Sequence, residues 1–194
     1  MRRLALILTL AATAAFAQKP GAPTLNGQAS TDPDQSAIPE SLAPYLPTPN
    51  TIVDQMLQAV HLKAGETLFD LGSGDGRIVI AAARKYKANA IGVELDDDLA
   101  ASSISRIAES GLEKNARIIH GDLMQQDYSK ADVVTVYLWP EANKKVAALL
   151  DIQLKKGARV VSHDFEMGTW KPTQTITIPD DGTGRSHTLF VYIR

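Results

Sequence analysis

The sequence predicts an α/β fold, a seven-stranded and mostly parallel sheet closed by a C-terminal antiparallel hairpin, and three observations carry that prediction. Apolar strand-like runs alternate with helical patterns from residue 67 to residue 163, the rhythm of βαβ units. The strand Thr67–Leu71 runs directly into a glycine turn, Asp70-Leu71-Gly72-Ser73-Gly74-Asp75-Gly76, which opens an alanine-rich helix at Arg77. Two last strand-like runs, Gln174–Ile178 and Thr188–Ile193, flank Pro179-Asp180-Asp181-Gly182-Thr183-Gly184, a hairpin turn by composition.

Residues 1–17 read as an export signal: Arg2 and Arg3, an apolar run from Leu4 to Ala14, and the small-residue site Ala15-Phe16-Ala17. The run is too short to span a bilayer comfortably, which favours cleavage and a periplasmic or secreted protein over an uncleaved membrane anchor. Residues 18–43 are rich in Pro, Gly, Ser and Ala and poor in large apolar side chains, so they read as a flexible leader to a domain spanning 44–194. After Pro49, Thr51-x-x-Asp54 has the spacing of a capping box. Ile52, Val53, Met56, Leu57 and Val60 then share one face of a helix that should end near Gly65. Helices follow at Arg77–Tyr86, Asp98–Ser110 and Glu141–Leu154, and strands at Ala90–Glu94, Arg117–His120, Val133–Leu138 and Arg159–His163. Between the third and fourth strands, residues 123–130 leave room for a turn at most.

Composition excludes several function classes. The chain has 20 basic and 22 acidic residues and no basic tail or clustered Lys/Arg face, so no nucleic-acid partner is expected. It has no cysteine, which removes disulfides and thiolate metal sites. The four histidines, at 61, 120, 163 and 187, lack metal-ligand spacing, read as structural, and leave no metal expected. Ser73 has neither a GxSxG elbow nor a partnered base, which rules out a hydrolase nucleophile.

The glycine turn is the centre of the functional reading. Gly72, Gly74 and Gly76 let the main chain approach a ligand, with amides at the start of the following helix pointing toward it. A dinucleotide site needs GxGxxG, and the third glycine would fall at Arg77. With Asp70 just ahead of it, the turn instead resembles motif I of class I S-adenosylmethionine-dependent methyltransferases, a Rossmann-like fold. The cofactor-binding set that this suggests is Asp70, Gly72, Ser73, Gly74, Gly76, Glu94 and Asp122. Glu94, 24 residues after Asp70, stands where a carboxylate accepts ribose hydroxyls, with helix capping as its alternative role, although Asp96, Asp97 and Asp98 already fill that need. Asp122, in His120-Gly121-Asp122-Leu123, resembles the residue that accepts the adenine amino group, or else forms a Gly-Asp turn. Asp70 either meets the cofactor's ammonium group or orders the glycine turn, and Asp75 reads as the helix cap.

After the fourth strand, Tyr137-Leu138-Trp139-Pro140 takes the place where many amino-group methyltransferases carry Asn/Asp-Pro-Pro-Tyr. Two aromatic rings and a proline there could form a dry slot that attracts a methylated amine, or Tyr137 could be a core residue and Trp139 a lid. Together with Pro44–Pro49, Phe69–Ala82, Gly92–Leu95, Gly157–Phe165 and Trp170-Lys171-Pro172, this segment resembles the small protein-lysine methyltransferases. That family includes archaeal enzymes of broad specificity and mitochondrial enzymes acting on the ATP synthase c-subunit and the adenine nucleotide translocase. The resemblance implies S-adenosylmethionine as cofactor and a protein with an accessible lysine as partner, met by a monomer. It implies Tyr137, Trp139 and Asp164 as catalytic candidates, and Thr48, Pro140 and Trp170 as substrate contacts, with Trp139 and Trp170 walling the acceptor channel. Methylation of a small molecule, or a binding module without turnover, remain the alternatives.

Overall fold

The computed structural model describes residues 45–194, so the expected signal at 1–17, the leader at 18–43 and residue 44 lie outside the described residues. In chain order the elements are α1 (Asn50–Ala59), β1 (Thr67–Leu71), α2 (Arg77–Ala81), β2 (Asn89–Glu94), α3 (Asp97–Glu109), β3 (Ala116–His120), β4 (Val133–Val136), α4 (Pro140–Gln153), β5 (Arg159–His163), β6 (Gln174–Ile178) and β7 (His187–Ile193). The sheet order is β3-β2-β1-β4-β5-β7-β6. The first five are parallel, while β7 runs antiparallel to both β5 and β6. This is the sheet the sequence predicts.

Both faces of the sheet are covered, so the central strands are apolar on nearly every residue and successive side chains serve two cores. Leu68, Ala90, Val133 and Val161 join Ile52, Met56, Leu57, Val79 and Ile107 on the face covered by α1, α2 and α3. Phe69, Ile91, Val134 and Val160 join Val146 and Leu150 of α4 on the other. Asp70 and Thr135 are polar exceptions at facing positions of β1 and β4, and both are buried.

Several local expectations are corrected. The capping box does not form: Pro49 precedes α1 without a side-chain cap, the Thr51 hydroxyl donates to the Asp181 carbonyl, and Asp54 pairs with Lys85. The helix stops at Ala59, well before Gly65, because His61 turns left-handed (φ 48°) and the Leu62 and His61 amides bond back to the carbonyls of Leu57 and Gln58, a Schellman closure. The span Arg77–Tyr86 is helical throughout but not uniformly α, since its second half, Ala82–Tyr86, is wound as a π turn ending at left-handed Lys87. The strand expected to reach Leu138 ends at Val136, which leaves Tyr137, Leu138 and Trp139 as a connection. The gap after β3 holds a single 3-10 turn, Leu123–Gln125.

Candidate functional site

The strand order reverses between β1 and β4, and an open cleft lies beyond the carboxyl ends of β1, β2 and β4. A switch point of this kind is where open α/β sheets bind ligands. Its floor is the glycine turn. Gly74 has φ 52°, so this position needs glycine for its backbone angle, and a Cβ there would lie 2.5 Å from the half-exposed Tyr45 ring that covers it and would push that ring aside. Gly92 of β2 is needed for room, since a Cβ would meet Ser73 at 2.5 Å and Ile118 at 2.7 Å. The Ser73 side chain therefore turns down onto the sheet, leaving its hydroxyl without a partner among the described residues.

Four amides of the turn are engaged within the fold. Gly72 and Ser73 donate to the Val93 carbonyl, Gly74 to Glu94 Oε2 at 2.6 Å, and Gly76 to the Ser73 carbonyl. The expected cap, Asp75, is replaced at the cap position by left-handed Gly76, φ 73°. Asp75 instead accepts the Arg77 amide and forms ion pairs with Arg77 and Arg106. Burial works against ionisation of Asp75, but those two guanidiniums bring its carboxyl below the usual carboxylate range. From α3, the Ser103 hydroxyl also donates to the Gly74 carbonyl at 2.6 Å. These braces from α3 escaped the sequence analysis, because nothing at 103 or 106 marks a residue as facing a turn 29 positions earlier.

Five acids line the cleft: Asp75 serves the turn and Asp96 caps α3, which leaves Asp70, Glu94 and Asp122. Asp70 does not order the glycine turn; its Oδ1 accepts the Thr135 hydroxyl at 2.6 Å, and burial pushes its carboxyl up to about 7, with the Glu94 and Asp75 charges adding to the rise. Glu94 Oε1 accepts the Leu95 and Asp96 amides in addition to the Gly74 contact of Oε2, so both oxygens are oriented. Helix α3 is capped by Asp96, which accepts the Asp98 and Leu99 amides, and Glu94 is thereby free of capping duty. Asp122 accepts the Met124 amide at 2.7 Å, the turn role, and its residue also lines the cleft.

The opposite end of the cleft differs from the expected aromatic slot. Tyr137 does line it, half-buried, with its ring tilted against His163 at 4.0 Å and stacked on Phe165 at 6.4 Å. Burial, and then the Asp164 charge, raise the phenol's pKa above its ordinary value. Trp139 is 59% exposed and Pro140 is exposed as the first residue of α4, so neither forms a wall. Trp170 is also corrected. It is buried against Tyr192, donates to Asp151 and lies 4.1 Å under the Arg194 guanidinium. The reason is topological: β7 runs antiparallel, so residues 192–194 lie beside Ala158 and Arg159, the amino end of β5 and the far edge of the sheet from the cleft. Thr48 lines the cleft as expected, with its hydroxyl 3.2 Å from His163 Nδ1 and its carbonyl accepting from Arg77.

Asp164 is placed otherwise than as an amine-orienting group in the cleft wall. It is left-handed, φ 59°, and its oxygens meet the Thr188 amide and the rings of His187 and His163. The histidines at 163 and 187, read apart in the sequence, are brought together across β5 and β7, with ring centroids 4.8 Å apart. Burial, against the pull of the Asp164 charge, lowers His163 to about 4.

The model of the ANTKMT methyltransferase domain family matches residues 70–174. The chain is 36% identical over 151 residues to a protein-lysine N-methyltransferase of Saccharolobus islandicus (strain REY15A), covering 77% of this chain and 92% of that protein. It is 31% identical over 139 residues to the ATP synthase c-subunit lysine N-methyltransferase of Mus musculus, covering 72% of this chain and 56% of that protein, so it spans little more than half of the mouse relative. A solved structure of an RNA methyltransferase from Salinibacter ruber in complex with S-adenosyl-L-homocysteine is 41% identical, with a TM-score of 0.71, covering 76% of this chain and 93% of that one.

Proposed function

This chain belongs to the ANTKMT methyltransferase domain family, and from that premise we propose that it transfers a methyl group from S-adenosylmethionine to the ε-amine of a lysine in another protein. The observation that carries the reading is the set of three acids, Asp70, Glu94 and Asp122, around one glycine-turn cleft. The residues fit the cofactor. Asp70 is a buried carboxyl with one side-chain partner, Thr135, and a cationic ligand group beside it would relieve the burial that raises its pKa. Glu94, oriented by three backbone amides, retains lone pairs to accept ribose hydroxyls, and Asp122 is the acceptor offered to an adenine amino group.

When bound, S-adenosylmethionine supplies an electrophilic methyl group on a sulfonium. The protein's part is then to hold the amine in line and keep water out. A lysine must shed its proton first, and desolvation in the cleft favours the neutral amine. Tyr137 is the side chain offered to orient it, with Thr48 beside it and Leu138 closing the apolar side.

A second reading, RNA as acceptor, is favoured by the likeness to the Salinibacter ruber protein, which is named as an RNA methyltransferase. The excess of acidic over basic residues and the absence of Asn/Asp-Pro-Pro-Tyr at 137–140 support the lysine reading instead. Incubating the protein with methyl-labelled cofactor, a proteome extract and total RNA separates the two: label on lysine supports the proposal, and label confined to RNA or to small molecules rejects it. We also propose that residues 1–17 direct export and are cut between Ala17 and Gln18, which the mass of the mature N-terminus would test. Among the described residues no helix is long and apolar enough to cross a membrane.

A further inference from the structure

We infer that His163, His187 and Asp164 form a binding site for one divalent transition-metal ion of the zinc class, beside the acceptor end of the cleft. The three inward atoms make a nearly regular triangle: His163 Nε2 to His187 Nδ1 is 2.9 Å, His187 Nδ1 to Asp164 Oδ2 is 3.1 Å, and His163 Nε2 to Asp164 Oδ2 is 3.3 Å. Ligands held about 2.0–2.1 Å from a tetrahedral zinc stand roughly 3.3 Å from one another, so a few tenths of an ångström of opening admits the ion. Two imidazoles and one carboxylate are a donor set that zinc takes, and a cysteine-free chain can build its metal sites only from nitrogen and oxygen.

The outer ring atoms support the same assignment. His187 Nε2 lies 3.2 Å from Asp181 Oδ2, and His163 Nδ1 lies 3.2 Å from Thr48 Oγ1. A carboxylate or hydroxyl on the far nitrogen is the outer-shell arrangement that fixes a metal-bound imidazole's tautomer and orientation. With protons on those outer nitrogens, the two inner nitrogens and the Asp164 oxygen all present lone pairs to one another at these distances. A metal ion at the centre, in place of a proton shared between these atoms, satisfies all three at once. Both rings are buried, whereas Asp164 is 24% exposed, so the ion's entry and its open coordination position lie on the Asp164 side. The groups come from two antiparallel neighbours, the ends of β5 and β7, and a bound ion would tie them together next to Tyr137.

Calorimetric titration of the chelator-stripped full chain tests this, with Zn(II), Co(II) and Mg(II) chloride as probes. Zinc and cobalt should each bind at one equivalent per chain, cobalt should show the visible absorption of a four-coordinate site, and magnesium should not compete. His187→Gln should remove the event. Asp181→Asn, which replaces the Oδ2 contact to His187 and keeps an oxygen for the Thr183 and Arg185 donors, should weaken it by about 10- to 100-fold. Replacing the exposed His61 and His120 with alanine should leave it intact, and S-adenosylhomocysteine binding by each variant reports that the fold survives. Failure of the wild-type chain to take up one equivalent of zinc overturns the proposal. So does stoichiometric binding that persists in His187→Gln or disappears with His61 and His120, and the wild-type result stands even if a variant does not fold.

Discussion

The two ends of the cleft are built in different ways. At the β1–β2 end a short local pattern, acid and glycines in one turn, is answered by Glu94 on the adjacent strand and braced from α3 by Ser103 and Arg106. Nearly every contact there runs between neighbours in the sheet or between the turn and one helix. At the β4–β5 end, Thr48, Tyr137, His163 and His187 come from the chain before α1, the connection after β4, and two strands that meet antiparallel. The first end is a preformed cradle for one ligand, and the second is an assembly whose partners are set by tertiary packing. Damage to the first should therefore appear in cofactor affinity and damage to the second in turnover.

Glu94→Ala should break the first end most. It removes the proposed ribose acceptor and leaves the Gly74, Leu95 and Asp96 amides without their carboxylate, so cofactor binding measured by calorimetry should weaken by roughly 1–3 kcal/mol, with a fall in melting temperature alongside. Unchanged affinity would remove Glu94 from the site.

Asp70→Asn sharpens the distinction between binding and stability. Because the folded carboxyl is raised to about 7, the ligand-free protein binds an extra proton on folding, and this group's contribution to stability declines as pH rises from the ordinary carboxylate range toward 7. The asparagine variant should thus be more stable at pH 8 than the parent, on the order of 1–3 kcal/mol, while binding the cationic cofactor less tightly. In the parent, affinity should fall as pH drops below about 7 and Asp70 takes up its proton, whereas in Asp70→Asn that slope should be absent.

Tyr137→Ala tests the second end. Turnover should drop about tenfold or more with cofactor affinity nearly unchanged, because the ring packs on His163 and Phe165, with β1 between it and Glu94. Equal losses in both quantities would mean that the two ends are not separable. The smallest effect should come from Trp139→Ala: with 59% of the residue exposed and no wall to form, stability should stay within about 0.5 kcal/mol and turnover near the parent's value.

The legible and illegible parts of the site follow the same division. Residues 67–77 announce a strand and a ligand turn because glycine spacing and apolar runs encode backbone angles and burial over a few positions, and the structure places β1, the turn and α2 there. Glu94 and Asp122 were legible for the same reason, each lying at or just beyond a recognisable strand end. The Thr51–Asp54 capping box failed although its spacing was right, since the Asp181 carbonyl and Lys85 offered those side chains other partners.

By itself, then, the sequence determined the alternation of strands and helices, the closing hairpin, the glycine turn and the acids around it, all of them written in spacings of a few residues. Tertiary structure alone decided that Trp170 packs at the opposite edge of the sheet, that Trp139 faces solvent, and that His163 meets His187 and Asp164. Those outcomes depend on the register and direction in which β7 is laid against β5, and a register is a relation between distant segments that no local pattern carries.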